Sequence, residues 1–245
     1  MSQQSPLAHR LNGRSAIVAG GGGGIGAAIV SQLLAGGCRV ASLDLPDHPG
    51  PGGSISLACD LSVRASVDAA VSEASAVLGG FDIVVHGAGI ARDALIARMG
   101  DDEWGAVLAT NLNSAFYLLR ACIPVLRERG GGSVVLVSSI NGERAKAGQA
   151  NYAASKAGMN ALARTAAREL GRFGIRVNAV APGWIETPLT AALRSELREK
   201  ALGETALGRL GQPDDVASVV VFLTSELSRH VTGQVWRVDG GQLIG

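Results

Sequence analysis

The sequence has few aromatic residues, few cysteines and almost no net charge. Aromatic residues make up 4% of the chain, and its formal net charge is +1. A charge so close to zero argues against the basic surface of a typical nucleic-acid-binding protein. The cysteines and histidines are scattered, at Cys38, Cys59, Cys122, His9, His48, His86 and His230. They form no Cys-x-x-Cys pair and no ligand spacing, so we expect buried free thiols, a reducing compartment and no metal site.

Long apolar segments are missing as well. Residues 1–14 are polar and lack the apolar h-region of a signal peptide. No apolar run reaches the ~18 residues that a membrane-spanning helix needs. We therefore expect a cytoplasmic protein that has neither a membrane nor a nucleic acid as a partner.

The chain is built instead from two alternating patterns. Short runs rich in valine, isoleucine, leucine and alanine are typical of strands buried on both faces of a parallel sheet. These runs lie at residues 15–20, 39–44, 54–60, 81–89, 133–139, 175–182 and 234–239. Helical periodicity between them marks residues 27–35, 63–78, 104–129 and 152–173. The alternation predicts an α/β fold made of βαβ units around a doubly wound sheet.

No linker, repeat or low-complexity tract divides the chain, so residues 1–245 are predicted to form a single domain. Residues 184–207 differ from the rest because they follow a Pro-Gly step and include a polar amphipathic helix at 191–201. Such a segment after a strand is either a lid over a cleft or an ordinary surface helix, and its periodicity does not separate the two.

A glycine-rich turn follows the first predicted strand and precedes a helix. Gly20, Gly24 and Gly26 have the spacing Gly-x-x-x-Gly-x-Gly, and Ile25 lies between the last two. Glycines at such a junction let a diphosphate approach the backbone and the N-terminus of the helix. The turn therefore predicts a dinucleotide site, and a flexible glycine loop is the simpler alternative.

Asp44 closes the second predicted strand. A carboxylate at this position accepts hydrogen bonds from the adenosine ribose and repels a 2′-phosphate. Neither the glycine turn nor residues 40–53 contain lysine or arginine. We therefore predict NAD(H) rather than NADP(H) as the cofactor. The alternative is that Asp44 is a simple turn residue at the end of the strand and contacts no cofactor.

Two further strand ends carry residues suited to this cofactor. Asp60 and Leu61 end the third predicted strand, where they can contact the adenine. Gly87, Ala88 and Gly89 end the fourth, where small residues let the chain pass close beneath the cofactor or simply form a tight turn.

Tyr152 and Lys156 lie four residues apart in a helical pattern, and Ser139 lies upstream of them. Residues i and i+4 share one face of a helix, so the ammonium is expected close to the phenol. A nearby cation favours the phenolate and lowers the pKa of a tyrosine from its usual value of about 10. A tyrosine tuned in this way can exchange a proton with an alcohol or a carbonyl near neutral pH.

The chain resembles the short-chain dehydrogenase/reductase family, in which the same motifs occur in this order: the glycine turn, Asn111, Ser139, Tyr152 and Lys156. The resemblance covers residues 13–241 and implies a Rossmann fold, with a seven-stranded parallel sheet and helices on both faces. It implies that Tyr152 is the general acid/base, that Lys156 holds the nicotinamide ribose and that Ser139 polarises the substrate carbonyl. Asn111 would anchor a water that links Lys156 to solvent.

The segment after the sixth predicted strand extends the resemblance. Pro182, Gly183, Ile185 and Thr187 match the family's Pro-Gly-x-x-x-Thr segment. The resemblance implies that this segment meets the nicotinamide carboxamide.

Two positions depart from the family pattern. Ala19 replaces the usual threonine before the glycine turn, and His86-Gly87 replaces the usual Asn-Asn. In the family both positions brace the sheet around the cofactor, so the change affects local hydrogen bonding rather than the chemistry. His86 is not expected to be catalytic.

Four stretches are similar to 3-oxoacyl-[acyl-carrier-protein] reductases within the family, at residues 89–93, 102–112, 148–152 and 182–187. The similarity implies a 3-oxoacyl or 3-hydroxyacyl thioester as substrate. Asp44 is a departure, because the reductases of fatty-acid synthesis generally favour NADPH. A catabolic dehydrogenase of a cyclic alcohol, sugar or steroid is the alternative, and a non-catalytic NAD-binding regulator is a remote one.

The substrate pocket is expected to be lined by Ser139, Ile140, Asn141, Glu143, Gln149 and Trp184. If Glu143 lines this pocket, it favours a hydroxylated or cationic substrate over an acyl chain.

The resemblance also implies protein partners. The helices at 104–129 and 152–173 would pair with their copies in a homodimer or homotetramer, unless the chain's own sheet covers their apolar faces. An acyl carrier protein would need a basic patch beside the cleft, for which the candidates are Arg127, Arg129, Arg168 and Arg172. Solvated helix faces are the simpler interpretation of these arginines.

Overall fold

The chain forms a seven-stranded parallel sheet with helices on both faces. The computed structural model describes residues 11–191 and 195–244. The prediction that residues 1–14 contain no signal peptide therefore falls mostly outside the described residues. The strands are β1 (Ser15–Ala19), β2 (Arg39–Asp44), β3 (Ile55–Ala58), β4 (Ile83–His86), β5 (Gly132–Val137), β6 (Ile175–Pro182) and β7 (Val235–Val238). Their order across the sheet is β3-β2-β1-β4-β5-β6-β7, with parallel neighbours throughout. The predicted doubly wound α/β fold is confirmed.

The helices of the described residues are α1 (Gly24–Ala35), α2 (Arg64–Leu78), α3 (Asp101–Val107), α4 (Ser114–Glu128), α5 (Ala150–Leu170), α6 (Pro188–Ala191), α7 (Ser195–Glu204) and α8 (Pro213–Thr224). The sequence analysis did not predict α8, which packs against α1. α7 begins later than the predicted helix 191–201, of which residues 192–194 lie outside the described part.

Strand β1 shows why the strand sequences are apolar at every position. Ile17 and Ala19 belong to a core that includes residues of α2, α4 and α5. Ala16 and Val18 belong to a second core, with residues of α1 and α8. All four side chains are fully buried. A strand covered on both faces has no solvent side, so continuous apolar runs replace the usual alternation.

The helix predicted at 104–129 is not one uniform α-helix. α3 and α4 are joined by a single π-helical turn, Leu108–Asn113, which contains Asn111. By length and composition the whole segment Asp101–Glu128 could also cross a membrane, with a mean hydropathy of 1.2 over its most apolar window. This is weak support for a span, because the core helix of a globular protein passes the same test. Here α4 packs against α2 and the sheet.

The strand order reverses between β1 and β4. From β1 the chain builds β2 and β3 on one side, and β4 begins the other half of the sheet. Such a reversal leaves a crevice beyond the carboxyl ends of the strands, where ligands bind. The glycine turn follows β1 and residues 87–89 follow β4, so both predicted cofactor segments border this crevice.

The three cysteines are buried and unpaired, as the sequence predicts. Burial raises the pKa of the Cys38 thiol to about 11, and it also raises the pKa of Cys122. These thiols are therefore protonated core side chains rather than nucleophiles.

Candidate active site

Tyr152 and Lys156 lie on the first two turns of α5. The Nζ atom of Lys156 is 5.6 Å from the centre of the Tyr152 ring. Ser139, which follows β5, lies close enough to Tyr152 for its hydroxyl to lower the pKa of the phenol. The fold thus brings the three residues together at the carboxyl end of β5.

The pKa values of the phenol and of the ammonium both shift in the direction that favours the neutral form of the group. Burial raises the pKa of Tyr152, while the hydroxyl of Ser139 opposes that rise and Asp93 adds to it. Burial also lowers the pKa of Lys156 to about 8. The lowered tyrosine pKa expected from the sequence is therefore wrong for this protein, because desolvation outweighs the lowering by Ser139, and Lys156 is not among the groups that shift this pKa.

Lys156 is held in the protein interior, and only 3% of its surface is exposed. Its Nζ donates a hydrogen bond to the carbonyl of Val137 at 2.9 Å. A Cβ on Gly89 would lie 3.3 Å from this Nζ and 3.4 Å from Oδ1 of Asn111. Glycine at position 89 therefore leaves a small space that both the lysine and the asparagine border.

Ser139 precedes a short 3-10 turn, Ile140–Gly142, and its backbone is extended. Its Oγ accepts a hydrogen bond from the amide of Asn141 at 3.1 Å. This contact uses a lone pair, so the hydroxyl hydrogen can be donated to the phenol or to a substrate oxygen. The preceding Ser138 donates to the carbonyl of Lys156 at 3.0 Å, which ties this loop to α5.

The side chain of Asn111 links the end of β4 to α5. Its Oδ1 accepts from the amide of Ile90 at 2.8 Å. Its Nδ2 donates to the carbonyl of Ile90 at 3.0 Å and to Oγ of Ser155 at 3.1 Å. These partners fix the residue next to Lys156, and its role as the anchor of a water stays a prediction.

The glycine turn forms a bare cradle at the N-terminus of α1. Gly20 has a φ of +76°, and a Cβ there would lie 2.5 Å from the Ala88 backbone. A Cβ on Gly26 would overlap the carbonyl oxygen of Gly20. Gly23 is the N-cap residue of α1, no side chain caps the helix there, and the position of a Cβ on Gly23 lies in open space. A helix N-terminus whose first N–H groups have no partner within the helix, preceded by a turn of glycines, fits a diphosphate.

Asp44 lies at the end of β2, directly beside the cradle. Its Oδ2 accepts a hydrogen bond from the amide of Gly22 at 3.0 Å, and its Oδ1 accepts from the amide of Leu45 at 2.9 Å. Both oxygens keep lone pairs for further donors. The carboxylate is thus held where ribose hydroxyls would meet it.

Three other predicted cofactor residues have structural partners of their own. Asp60 caps a turn, since its Oδ1 accepts from the amide of Ser62 at 2.9 Å and from its hydroxyl at 2.6 Å. Leu61 is buried in one core, and Ile25 packs against the other. Their contacts with a cofactor stay predictions.

The segment after Pro182 runs back toward the cradle. Gly183 donates from its amide to the carbonyl of Val238 at 3.1 Å, and Ile185 is buried. Thr187 reaches Gly24, because its Cγ2 lies 3.4 Å from the position of a Cβ on that glycine. The segment therefore borders the cradle at Gly24.

Asn141 and Gln149, two of the predicted pocket residues, belong to a chain of hydrogen bonds. Asn141 donates to Oε1 of Gln149 at 2.9 Å, and Gln149 donates to the carboxylate of Asp93 at 3.0 Å. On the other side, Arg144 donates to Oδ1 of Asn141 at 3.0 Å and pairs with Glu204 at 3.0 Å. Because Glu204 ends α7, the chain links the loop after β5 to the predicted lid.

Glu143 does not offer a free carboxylate to a substrate. It forms an ion pair with Arg237 of β7, with a distance of 2.7 Å between Oε2 and Nη2. The expectation that Glu143 favours a cationic substrate therefore loses its basis, because the charge is already paired. Its preference for a hydroxylated substrate stays a prediction, since both bonds from Arg237 to this carboxylate go to Oε2. Trp184 is held through its backbone, whose amide donates to Gln242 at 2.9 Å.

Three of the four arginines suggested as a docking patch have partners within the protein. Arg129 pairs with Asp82 at 3.1 Å. The guanidinium groups of Arg127 and Arg172 lie 4.1 Å and 4.6 Å from the centre of the Phe173 ring. These contacts suit ordinary helix surfaces as well as a docking patch, which stays a prediction.

Sequence reasoning missed four residues that support the site, namely Asp93, Arg144, Ser155 and Glu204. Ser155 could have been found from helical spacing, since it lies three residues after Tyr152 on α5 and therefore near the same face. The other three are charged residues of ordinary surface type, and only their tertiary contacts reveal them.

Comparison with known proteins assigns the chain to a family. The family model described as Enoyl-(Acyl carrier protein) reductase matches residues 20–242. The 3-oxoacyl-[acyl-carrier-protein] reductase of Thermotoga maritima is 40% identical over 245 residues, which cover 96% of this chain and all of that protein. The acetoacetyl-CoA reductase of Synechocystis sp. is 41% identical over 231 residues, which cover 94% of this chain and 96% of that protein.

Solved structures agree with this assignment. A short-chain type dehydrogenase/reductase from Mycobacterium ulcerans has a TM-score of 0.89 at 32% identity, over 94% of this chain and 90% of that chain. Because sequence and structure both match over almost the full length, the chain belongs to the short-chain dehydrogenase/reductase family of oxidoreductases, which bind a nicotinamide cofactor.

Proposed function

We propose that this protein is an NAD(H)-dependent oxidoreductase that interconverts a secondary alcohol and a ketone, with a 3-oxoacyl or 3-hydroxyacyl thioester as substrate. The observation that carries the proposal is the meeting of Ser139, Tyr152 and Lys156 beside a bare glycine cradle. The names of the relatives from Thermotoga and Synechocystis support the thioester, since both are reductases of such compounds.

The chain's own residues account for the proton chemistry. Ser139 has a hydroxyl hydrogen to donate to the substrate oxygen, which stabilises negative charge developing there. Tyr152 has its pKa raised by burial, so its phenol holds the proton that a new alkoxide takes up. Lys156, whose pKa burial lowers to about 8, is held beside the phenol and can donate to ribose hydroxyls. When bound, the nicotinamide supplies or accepts the hydride.

Loss of the proton donor tests this mechanism. Tyr152→Phe removes one hydroxyl and should reduce turnover by about 10²–10⁴-fold while sparing NADH binding, because proton transfer is worth about that much. Tyr117→Phe, at the other tyrosine of the chain, is the matched control and should keep turnover. The assay is NADH oxidation with acetoacetyl thioesters and NAD reduction with a panel of secondary alcohols. Turnover retained by Tyr152→Phe would rule the mechanism out.

The preference for NAD(H) rests on the Asp44 carboxylate beside the cradle. A 2′-phosphate would meet this carboxylate, and the adjoining residues 45–53 hold no lysine or arginine to compensate for it. KM measured with NADH and NADPH tests the point. A preference of about tenfold or more for NADPH would contradict it.

The alternative substrates receive less support. A dehydrogenase of a non-acyl alcohol was favoured by a free Glu143, but that carboxylate is paired with Arg237. A non-catalytic regulator would be expected to have a damaged set of catalytic residues, and Ser139, Tyr152 and Lys156 are all in place. The substrate panel distinguishes these cases, because a regulator would bind NADH without turning over any compound.

Further parts of the proposal concern the chain as a whole. We propose that residues 1–245 act as one domain, with 184–207 as a lid over the substrate and the cytoplasm as its location. The link from Asn141 through Arg144 to Glu204 supports the lid, since it joins α7 to the loop that carries Ser139.

A further inference from the structure

The π-helical turn between α3 and α4 leaves one carbonyl without its usual partner. In an α-helix the amide of Ser114 would bond to the carbonyl of Thr110, but here it bonds to the carbonyl of Ala109. The hydroxyl of Ser114 donates to the Thr110 carbonyl instead. A π-turn is rare and needs such added contacts to persist. Ser114 therefore closes this turn with its side chain.

His86, the last residue of β4, contacts this serine. Its Nε2 lies 2.7 Å from Oγ of Ser114, and its side chain is completely buried. The single hydrogen of the Ser114 hydroxyl already goes to Thr110, so Oγ must accept and Nε2 must carry the hydrogen. Burial, with Lys156 as a second cause, lowers the pKa of His86 to about 3, which keeps the ring neutral.

The same turn carries Asn111, whose Oδ1 borders the small space beside Gly89 that the Nζ of Lys156 borders as well. Asn111 grips the backbone of Ile90, four residues beyond His86, and reaches Ser155 on α5. The end of β4 therefore contacts the π-turn twice, through His86 and through Ile90. Reverting to a plain α-helix would rotate Asn111 by about 100° and remove it from Lys156.

We propose that His86 is a positioning residue, which through its Nε2–H bond to Ser114 holds the π-turn so that Asn111 faces Lys156 and Ser155. His86 touches neither substrate nor cofactor in this scheme and acts only through the turn. The proposal deepens the proposed function, on which it rests for its kinetic consequences. The family pattern has an asparagine at position 86, so this arrangement belongs to the histidine of this chain.

Kinetics of four variants test the proposal. His86→Leu removes the donor and Ser114→Ala removes the bridging hydroxyl. Each should lower kcat by about tenfold to 100-fold, as expected for a displaced catalytic group, with KM for the ketone changed by less than about twofold. His86→Gln can place an N–H near the position of Nε2 and should recover kcat to within about threefold. Ser133→Ala, which removes another buried serine bond (to Leu223, 2.9 Å), should leave kcat unchanged.

The double variant separates this mechanism from two independent folding defects, whose effects on kcat would add. If His86 acts only through Ser114, then His86→Leu combined with Ser114→Ala should be no slower than either single variant. Wild-type kcat in folded His86→Leu, or additive losses in the double variant, would overturn the proposal.

A measurement independent of turnover separates this proposal from the proposed function. In protein labelled with ¹⁵N-histidine, the signals missing from His86→Gln identify His86. They should show a protonated Nε2 and a bare Nδ1 that do not titrate near neutral pH. In uniformly ¹⁵N-labelled protein, the side-chain amide of Asn111 should exchange faster in His86→Leu than in His86→Gln. A protonated Nδ1, or unchanged exchange, would overturn the inference. Absence of any turnover in the wild type, with these spectra as expected, would refute only the proposed function.

Discussion

Gly20 and Gly23 lie in the same turn but have different surroundings. Gly20 has a φ of +76° and a Cβ there would lie 2.5 Å from the Ala88 backbone, whereas Gly23 has a φ of −140° and open space. Gly20→Ala should therefore lower the free energy of unfolding by about 2 kcal/mol or more. Gly23→Ala should lower it by only about 0.5 kcal/mol, because Gly23 is the N-cap of α1 and alanine is a poorer cap than glycine. Urea unfolding measures both.

NADH binding provides a second measurement on the Gly20→Ala and Gly23→Ala variants. The space in front of Gly23 is where a diphosphate would meet the N-terminus of α1, so Gly23→Ala should be stable yet bind NADH more weakly. Wild-type stability of Gly20→Ala would contradict the steric argument. Unchanged NADH affinity of Gly23→Ala would contradict the location of the diphosphate.

The buried His86 predicts a specific sensitivity to acid. Its pKa falls from 6.5 to about 3 through burial and, secondarily, the charge of Lys156. Below pH 6.5 the unfolded chain binds a proton that the folded protein does not, so stability is lost as the pH falls toward 3. Between pH 7 and pH 5 the loss from this residue is about 2 kcal/mol.

His86→Gln lacks this titration and serves as the comparison. Its free energy of unfolding should fall less than that of the wild type between the two pH values, by about 2 kcal/mol. Urea unfolding at pH 7 and pH 5 makes the measurement, and other titrating groups contribute equally to both proteins. Equal losses would show that the imidazole is not held neutral.

At the scale of elements, α7 is held by two ion pairs to two segments that border the site. Glu204 pairs with Arg144 of the loop after β5, and Arg198 pairs with Glu186 after β6. Partly exposed pairs contribute little to global stability but can control local opening. Glu204→Gln should therefore leave Tm nearly unchanged while the amides of α7 exchange faster with solvent.

A surface pair elsewhere provides the control. Asp68→Asn breaks the Arg64–Asp68 pair on α2 and should leave the exchange of α7 as in the wild type. If α7 acts as a lid, Glu204→Gln should also raise KM for the substrate. Exchange of α7 that is unaffected by Glu204→Gln would mean that the pair does not hold this helix.

At the scale of the whole molecule, α4 exposes an aromatic side chain on its outer surface. Phe116 is 44% exposed, and the guanidinium of Arg120 lies 5.0 Å from the centre of its ring. The sequence predicts that this helix and α5 pair with their copies, so light scattering should give a multiple of the 24.9 kDa chain mass. Phe116→Glu should shift the mass toward the monomer, whereas Leu95→Glu, at an exposed leucine outside both helices, should not. A monomeric wild type would contradict the prediction.

Local patterns in the sequence predicted most helices and strands, and also the order of the candidate site motifs along the chain. β2 and β6 have the predicted bounds, because a strand buried on both faces shows as a continuous apolar run. The glycine turn was predictable because a tight junction needs glycine at particular positions. α8 was not predicted, although its pairing with α1 covers one face of the sheet.

By itself, the sequence predicted the fold class from its periodicity and the family from the resemblance of its motifs, and it marked Ser139, Tyr152 and Lys156 as candidate catalytic residues. Periodicity and motif spacing can be read from a chain because they are local properties. The tertiary structure decided what surrounds them. Burial raises the pKa of Tyr152, and Glu143 forms an ion pair with Arg237. His86 contacts Ser114, which closes the π-turn that carries Asn111. These outcomes depend on desolvation and on contacts between distant segments, which no local pattern records.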